Sequence, residues 1–284
     1  MRALRVHELS EDISVLRMDE VELPPPGEGE VRLGLKACSI NFPDILMVQG
    51  KYQFKPELPF SPGMEGAGVV LEVGPGVTSL KPGDEVVAGL RVGGFAEEVN
   101  AQASACRPIP KGMDFIKAAA YPAAYLTAYV ALVIRGNLQK GETLLVHGAT
   151  GGVGMAAVDV GKLLGATVIA TSASDEKLDA VKKRGADYTL NVTEGFKDKV
   201  KELTDGRGAD VIYDPVGGDV FDESVRCIAW NGRLLIIGFT SGRIPSVPVN
   251  MPLIKGFSVI GVRAGEYGRR DLEAGKRNIE TIDR

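Results

Sequence analysis

From Thr143 onward the apolar positions of the chain alternate between two regimes. Thr143–His147 is almost continuously apolar, Met155–Leu164 carries its apolar residues at three- and four-residue spacing, and Thr167–Thr171 is again a short apolar run. Short apolar runs separated by helix-period segments predict strands buried on both faces with crossover helices between them, as in an open parallel sheet. Such runs fall near 143–147, 167–171, 187–190, 209–213, 232–237 and 257–262, which predicts six parallel strands. The lysine-rich stretch Lys177–Arg184, with Leu178 and Val181 turned inward, reads as the solvated face of one crossover helix. Residues 1 to about 125 follow a different rule. There Val31, Leu33, Leu35 and Ala37 alternate with Arg32, Gly34 and Lys36, and turn signals are dense: Pro24-Pro-Pro-Gly27, Pro62-Gly63, Gly74-Pro-Gly76, Lys81-Pro-Gly-Asp84 and Gly93-Gly94. This stretch predicts short strands in a compact, barrel-like sheet. Between the two regimes, Pro122–Ile134 has helical spacing.

The first strand of the parallel region empties into Gly148-Ala-Thr-Gly151-Gly152-Val-Gly154 and continues as a helix. A glycine-rich turn between a strand and a helix exposes backbone N–H groups at the positive end of the helix dipole, which suits a pyrophosphate. The usual Gly-x-Gly-x-x-Gly fingerprint appears as Ala149-Thr150-Gly151-Gly152-Val153-Gly154, without its first glycine. Following a strand, opening a helix and preceding a second strand, it reads as a dinucleotide site; a structural glycine turn is the alternative. The later strand ends, Asp214-Pro-Val-Gly217-Gly218 and Gly238-Phe239-Thr-Ser241, fall where an open α/β sheet presents its crevice and would line the same ligand, or serve as ordinary turns. After the second strand, the position that carries an acidic residue in NAD-specific sites is Ser172. Ser172 and Ser174 can donate to a 2′-phosphate and Lys177 can supply charge, which points to NADPH; the competing reading has the serines capping the next helix.

Composition narrows the classes. The 284 residues suit two domains, and 33 basic against 37 acidic residues with no polybasic run argue against nucleic acid or an anionic membrane as the main partner. No apolar run reaches the roughly 20 residues that span a bilayer. Three cysteines, Cys38, Cys106 and Cys227, lie far apart and are odd in number, so reduced thiols in a cytoplasmic setting are expected.

Further motifs, Asn41-Phe-Pro-Asp44, Gly50-Lys-Tyr52, Pro62-Gly-Met-Glu-Gly-Ala-Gly68, Lys81-Pro-Gly-Asp84 and Leu126-Thr-Ala-Tyr129, join the glycine turn in the same order. Over nearly its whole length the chain resembles the medium-chain dehydrogenase/reductase superfamily, and within it the zinc-independent quinone oxidoreductases of the zeta-crystallin type. That resemblance implies an α/β protein with a GroES-like β-barrel domain over 1–125 and a doubly wound Rossmann domain binding NADPH over 126–262. Members of the family run on past the point matching Arg284 and return to complete the first domain. Residues 263–284 would then be a truncated return segment, with strand edges left unpaired.

Zinc relatives have Cys-His-x-Asp where this chain has Asn41-Phe42-Pro43-Asp44, and Gly-His-Glu where it has Gly63-Met64-Glu65. No metal is therefore expected, since only His7 and His147 remain and zinc takes about four ligands. His147, ending a core strand, reads as structural, and Met64 and Cys38 as packing residues. The resemblance implies NADPH-dependent reduction of a quinone or an α,β-unsaturated carbonyl, with Asn41, Tyr52 and Thr127 as the catalytic set. Asn41 would hold the carboxamide or the acceptor oxygen, Thr127 would bond near the nicotinamide, and Tyr52 would donate to a developing oxyanion. Each has a plainer role open to it: Asn41 a turn residue, Thr127 a packed helix residue, Tyr52 an exposed ring. Leu46 and Val192 depart from aromatic residues common in the family. The other class of function is an NADPH-binding regulatory or sensing protein with little turnover. The apolar segment Phe257–Val262 reads as a terminal strand and points to a homodimer.

Overall fold

A computed structural model describes residues 1–284, which form two compact units, Met1–Pro122 and Ala123–Arg284. In the first, β1 (Arg2–Arg5) and β2 (Arg17–Glu20) make an antiparallel ribbon. Five further strands follow: β3 (Glu30–Cys38), β4 (Glu65–Val73), β5 (Glu85–Gly89), β6 (Glu98–Gln102) and β7 (Cys106–Pro108). They form an antiparallel sheet in the order β6-β3-β4-β5-β7. The period-two pattern does what it predicts, with Val31, Leu33, Val70, Val86 and Ala88 sharing one buried face. β3 and β4 approach so closely that a Cβ on Gly68 would stand 2.2 Å from the Gly34 carbonyl oxygen, so only glycine fits there.

Two short helices interrupt this unit, α1 (Phe42–Val48) and α2 (Phe115–Ala120). The region is β-rich as its pattern predicts, with these two helices added to it. α1 forms because the Asp44 carboxylate accepts from the Asn41 N–H at the helix start and proline occupies the first turn, and Met47 and Val48 are then buried against Val6 and Phe60. Cys38, expected to pack, is exposed instead. β6 pairs with β3 only from Glu30 to Gly34, so the last residues of β3 have no strand on that side.

The second unit holds six parallel strands in the order β10-β9-β8-β11-β12-β13. They are β8 (Thr143–Val146), β9 (Thr167–Ser172), β10 (Tyr188–Asn191), β11 (Ala209–Asp214), β12 (Ile228–Ile236) and β13 (Ser258–Gly261). All six fall where the apolar runs place them, but β12 begins four residues before position 232. Its extra turn of chain pairs Ile228 with Ala209 across a register shift, and Asn231 takes a left-handed conformation (φ 60°) within it.

The helices of this unit are α3 (Pro122–Tyr129), which runs on as a π-helical segment over Val130–Arg135, α4 (Gly152–Leu163), α5 (Asp175–Lys183), α6 (Lys197–Leu203), α7 (Gly218–Cys227), α8 (Asn250–Lys255), α9 (Ala264–Arg270) and α10 (Leu272–Asp283). α4 lies against the sheet through Ala156, Ala157, Val158 and Gly161, the last so close that a Cβ would sit 2.5 Å from the Leu144 side chain. Leu178 and Val181 of α5 are buried while the lysines of that helix face out, as their spacing requires. Beyond β13, residues 264–270 and 272–283 form two helices with the extended Asp271 between them. No helix is long and apolar enough to cross a membrane.

Candidate functional site

The parallel sheet presents the C-terminal ends of β8, β9, β11 and β12 on one side, and the chemically suggestive segments of the second unit gather there. After β8, Gly148 turns with φ 55° and Gly151 stands as the N-cap of α4 in an extended conformation. The Gly151 N–H bonds back to the Gly148 carbonyl, and Met155 makes the first helical bond, to Gly151. The N–H groups of Gly152, Val153 and Gly154 between them have no acceptor in the protein. A Cβ on Gly152 would meet nothing within 4 Å, whereas one on Gly154 would stand 2.3 Å from the Gly148 carbonyl oxygen. Gly152 thus leaves space in front of the helix end, and Gly154 lets the helix pack under its own turn. Free amides, open space and a positive helix end together fit an anionic pyrophosphate.

Beside this turn, at the end of β9, the Ser172 and Thr150 hydroxyls lie 3.3 Å apart, and Ser172 Oγ also accepts from the Ser174 N–H at 3.3 Å. Ser174 is the N-cap of α5, its Oγ accepting from the Lys177 N–H at 3.4 Å. The capping reading is therefore realised, but it uses only a lone pair and leaves the Ser174 hydroxyl hydrogen available to a ligand. Lys177 is exposed and makes no ion pair. Asp175 is drawn to the side by Asn191, whose Nδ2 donates to it at 3.0 Å.

The turns after β11 and β12 are zipped together. Thr240 N–H donates to the Pro215 carbonyl, Ser241 N–H to Val216, and Gly218 N–H to Arg243. Gly217 (φ 69°) fits against Phe239, and Gly218 against Ser241, at distances that would admit no Cβ. The Asp214 carboxylate organises this pair of turns: one oxygen accepts from the Val216 and Gly217 N–H groups at 2.8 and 2.9 Å, and the other is buried without a partner. Burial pushes its pKa up from the usual carboxylate value. Gly217, Gly238, Phe239 and Ser241 are thus brought into one local structure. Asp214, which no sequence pattern sets apart from its neighbours, is what holds them.

His147 is fully buried between β9 and α7. Ser224 Oγ donates to the Val220 carbonyl, so it can only accept from His147 Nε2–H at 2.8 Å; Nδ1 is then the unprotonated nitrogen and accepts from Thr171 Oγ1 at 2.9 Å. The histidine is neutral and structural, and burial lowers its pKa from 6.5 to about 3. The unfolded chain takes up a proton near pH 6.5 that the folded chain refuses until about pH 3, so this contribution to stability is whole above pH 6.5 and is drawn down as pH falls through that interval. Its full extent is on the order of 4 kcal/mol. In unfolding titrations, the stability advantage of the wild type over His147→Asn should shrink between pH 7 and pH 4. A constant difference over that range would contradict the assignment.

In the first unit, Asn41 and Glu65 come together from α1 and β4. Asn41 Nδ2 donates to Ser39 Oγ and to Glu65 Oε1, both at 2.9 Å, and the Ser39 hydroxyl donates to the same Glu65 oxygen. The backbone N–H of Asn41 donates to Asp44 Oδ2 at 2.8 Å, and Gly63 N–H to Asp44 Oδ1 at 3.0 Å. Asp44 is buried, and desolvation raises its pKa despite these two donors. Tyr52 lies half-buried against the Val6–Met47–Phe60 cluster, so the expectation of a merely exposed ring does not hold; its hydroxyl has no partner in the protein. In the second unit, Thr127 Oγ1 donates to the Ala123 carbonyl at 2.7 Å, one helical turn back. Both side chains are thereby left as acceptors: the Asn41 amide hydrogens and the Thr127 hydroxyl hydrogen are all committed within the protein.

These residues do not offer a zinc site. Where a metal centre would need sulfur or imidazole donors, the chain provides an amide nitrogen already bonded to Glu65 and the Met64 thioether packed in the core. His7 is paired with Asp19 at 2.7 Å and His147 is consumed by its two hydroxyl partners.

An open antiparallel unit followed by a six-stranded dinucleotide fold with this turn defines a medium-chain dehydrogenase/reductase. Residues 27–111 match the alcohol dehydrogenase GroES-like domain and residues 152–280 the family described as zinc-binding dehydrogenase. The chain is 45% identical over 283 residues to the quinone oxidoreductase-like protein 2 homolog of Nematostella vectensis, covering 98% of this chain and 76% of that protein. It is 41% identical to quinone oxidoreductase-like protein 2 of Mus musculus, covering 94% and 77%. Among solved structures it is similar to Escherichia coli quinone oxidoreductase complexed with NADPH, with a TM-score of 0.88, 30% identity and coverage of 100% of this chain and 88% of that one. A mycobacterial protein complexed with NADPH superposes with a TM-score of 0.91 at 33% identity, covering 99% and 87%. The chain belongs to the quinone oxidoreductase family.

Proposed function

We propose that the protein is an NADPH-dependent, zinc-independent reductase of quinones or α,β-unsaturated carbonyl compounds. The observation that carries the reading is the first turn of α4, with three acceptor-free amides in front of open space. Thr150, Gly151, Gly152, Val153 and Gly154 hold the pyrophosphate, Ser172, Ser174 and Lys177 the 2′-phosphate, and the Gly217 and Gly238–Ser241 turns the rest of the dinucleotide. Bound NADPH supplies the hydride, so the acceptor must already be electrophilic. Of the proposed catalytic residues, Tyr52 alone has an uncommitted hydroxyl hydrogen, and it is the donor to the acceptor oxygen as charge develops there. Asn41 and Thr127 orient by accepting. NADPH oxidation across a panel of quinones, enals and enoyl thioesters checks the assignment; a protein that binds NADPH but oxidises it with none of them is a sensor instead.

Zinc independence rests on the donor set around Asn41 and Met64. Metal analysis should find no stoichiometric zinc, and chelator treatment should leave turnover unchanged; tightly bound zinc with chelator-sensitive turnover contradicts it.

The protein is further proposed to be a homodimer. β13 is the edge of the parallel sheet with Val259 partly exposed, and Trp230 on the adjoining β12 and Val249 and Leu253 at the start of and within α8 are largely exposed. Sedimentation should give twice the chain mass at micromolar concentration, and a monomer there refutes the pairing. Three free thiols agree with a reducing, cytoplasmic setting.

A further inference from the structure

The Ser39–Asn41–Glu65 cluster decides a question that an asparagine ordinarily leaves open, namely which end of its amide meets a ligand. Glu65 is 2% exposed and accepts from both Ser39 and Asn41 at one oxygen. The Ser39 hydroxyl hydrogen is spent on Glu65, so Ser39 can offer Asn41 only a lone pair. Turning the Asn41 amide over would set its oxygen against a buried carboxylate and against a hydroxyl with no hydrogen to give. A buried carboxylate and a half-buried hydroxyl therefore fix the amide nitrogen inward and leave the carbonyl oxygen as the only part of the side chain with capacity for a ligand.

We propose that Glu65 is a positioning residue: through Asn41 it makes that side chain a dedicated hydrogen-bond acceptor, so the group Asn41 receives is a donor. Of the groups the proposed reaction brings, the carboxamide NH2 of the nicotinamide is a donor, whereas the oxygen of a quinone or enone is not. The inference rests on the reading of Asn41 as a cofactor residue and adds the atom that does the work and the residue that selects it. It also separates the roles in the catalytic set, because an Asn41 that only accepts leaves the acceptor oxygen to Tyr52.

The test compares NADPH with its 3-acetylpyridine analogue, in which a methyl ketone replaces the carboxamide, so that the carbonyl is kept and the NH2 is lost. Dissociation constants are measured by calorimetry on the full chain. The wild type should prefer NADPH by about 3- to 10-fold, the value of one hydrogen bond. Glu65→Gln can donate as well as accept, which permits Asn41 to turn over, and its preference should fall to within about 2-fold or reverse. Ser39→Ala removes one of the two acceptors and should lower the preference in the same direction but less, and it stands in if Glu65→Gln does not fold. A general loss of packing would weaken both ligands alike and leave their ratio unmoved. Asn41→Ala separates the two layers of the claim. If Asn41→Ala abolishes the preference while Glu65→Gln and Ser39→Ala keep it, positioning by Glu65 is overturned although Asn41 meets the cofactor. If Asn41→Ala keeps the wild-type preference, the underlying reading of Asn41 fails and the inference with it.

Discussion

Gly154→Ala is expected to weaken NADPH binding by about 100-fold or more. The methyl group would stand 2.3 Å from the Gly148 carbonyl oxygen and 2.8 Å from the Ala149 Cα, both backbone atoms that no rotamer change can move aside. The turn itself must shift, and with it the amides of Gly152, Val153 and Gly154. Hydrogen bonds to a charged group contribute about 1.5–3 kcal/mol each, so misaligning two of them accounts for the expected loss. Gly152→Ala is the control, because its methyl meets nothing in the protein. That variant should melt like the wild type and still bind the cofactor more weakly, since the added group takes up space proposed for the pyrophosphate. Calorimetry and thermal unfolding on the two variants separate a damaged turn from an obstructed one. Wild-type affinity in Gly154→Ala would show that the turn is not the phosphate site.

NADPH should bind about 10- to 150-fold more tightly than NADH, and Lys177→Ala should remove most of that margin while leaving NADH affinity nearly unchanged. Ser172 occupies the strand-end position where a carboxylate would repel a 2′-phosphate. Its hydroxyl and that of Ser174 accept backbone N–H groups, the Ser174 hydroxyl keeps its hydrogen for a ligand, and Lys177, one turn into α5, has no anionic partner to give up. Asp175 would oppose a phosphate, but Asn191 holds it aside. The charge of Lys177 is exposed and screened by salt, so both cofactors must be measured at one ionic strength. Equal dissociation constants for NADPH and NADH in the unmutated protein would end this assignment.

The periodicities of the sequence locate the parallel sheet well because its inner strands β8, β9 and β11 are buried on both faces and must be largely apolar. They miss the early start of β12, where Asn231 bends the strand through a left-handed residue that no hydrophobic pattern encodes. α1 was hidden for a similar reason. Its seven residues lie among prolines and glycines, and its signal is the Asn41–Asp44 capping pair rather than an apolar stripe. The glycine turn was legible as a strand-to-helix turn, but the open space in front of Gly152 was not, because it depends on what packs around the helix end. The state of the proposed catalytic residues was not, because it depends on partners distant in sequence: Glu65 is 24 residues from Asn41. Glu65 could have been suspected as a lone acid opening the small-residue strand Glu65-Gly-Ala-Gly68. Thr127, bonded to the carbonyl four residues back, shows a habit of threonine in helices that sequence alone suggests but does not decide.

The most direct measurement is single-turnover oxidation of NADPH deuterated at C4, by an enone or quinone that the protein accepts, before and after metal is stripped from it. The proposed reaction gives the same rate in both preparations, slowed by deuterium at one of the two C4 positions only. Loss of turnover on stripping, or oxidation that does not depend on the acceptor, would contradict it.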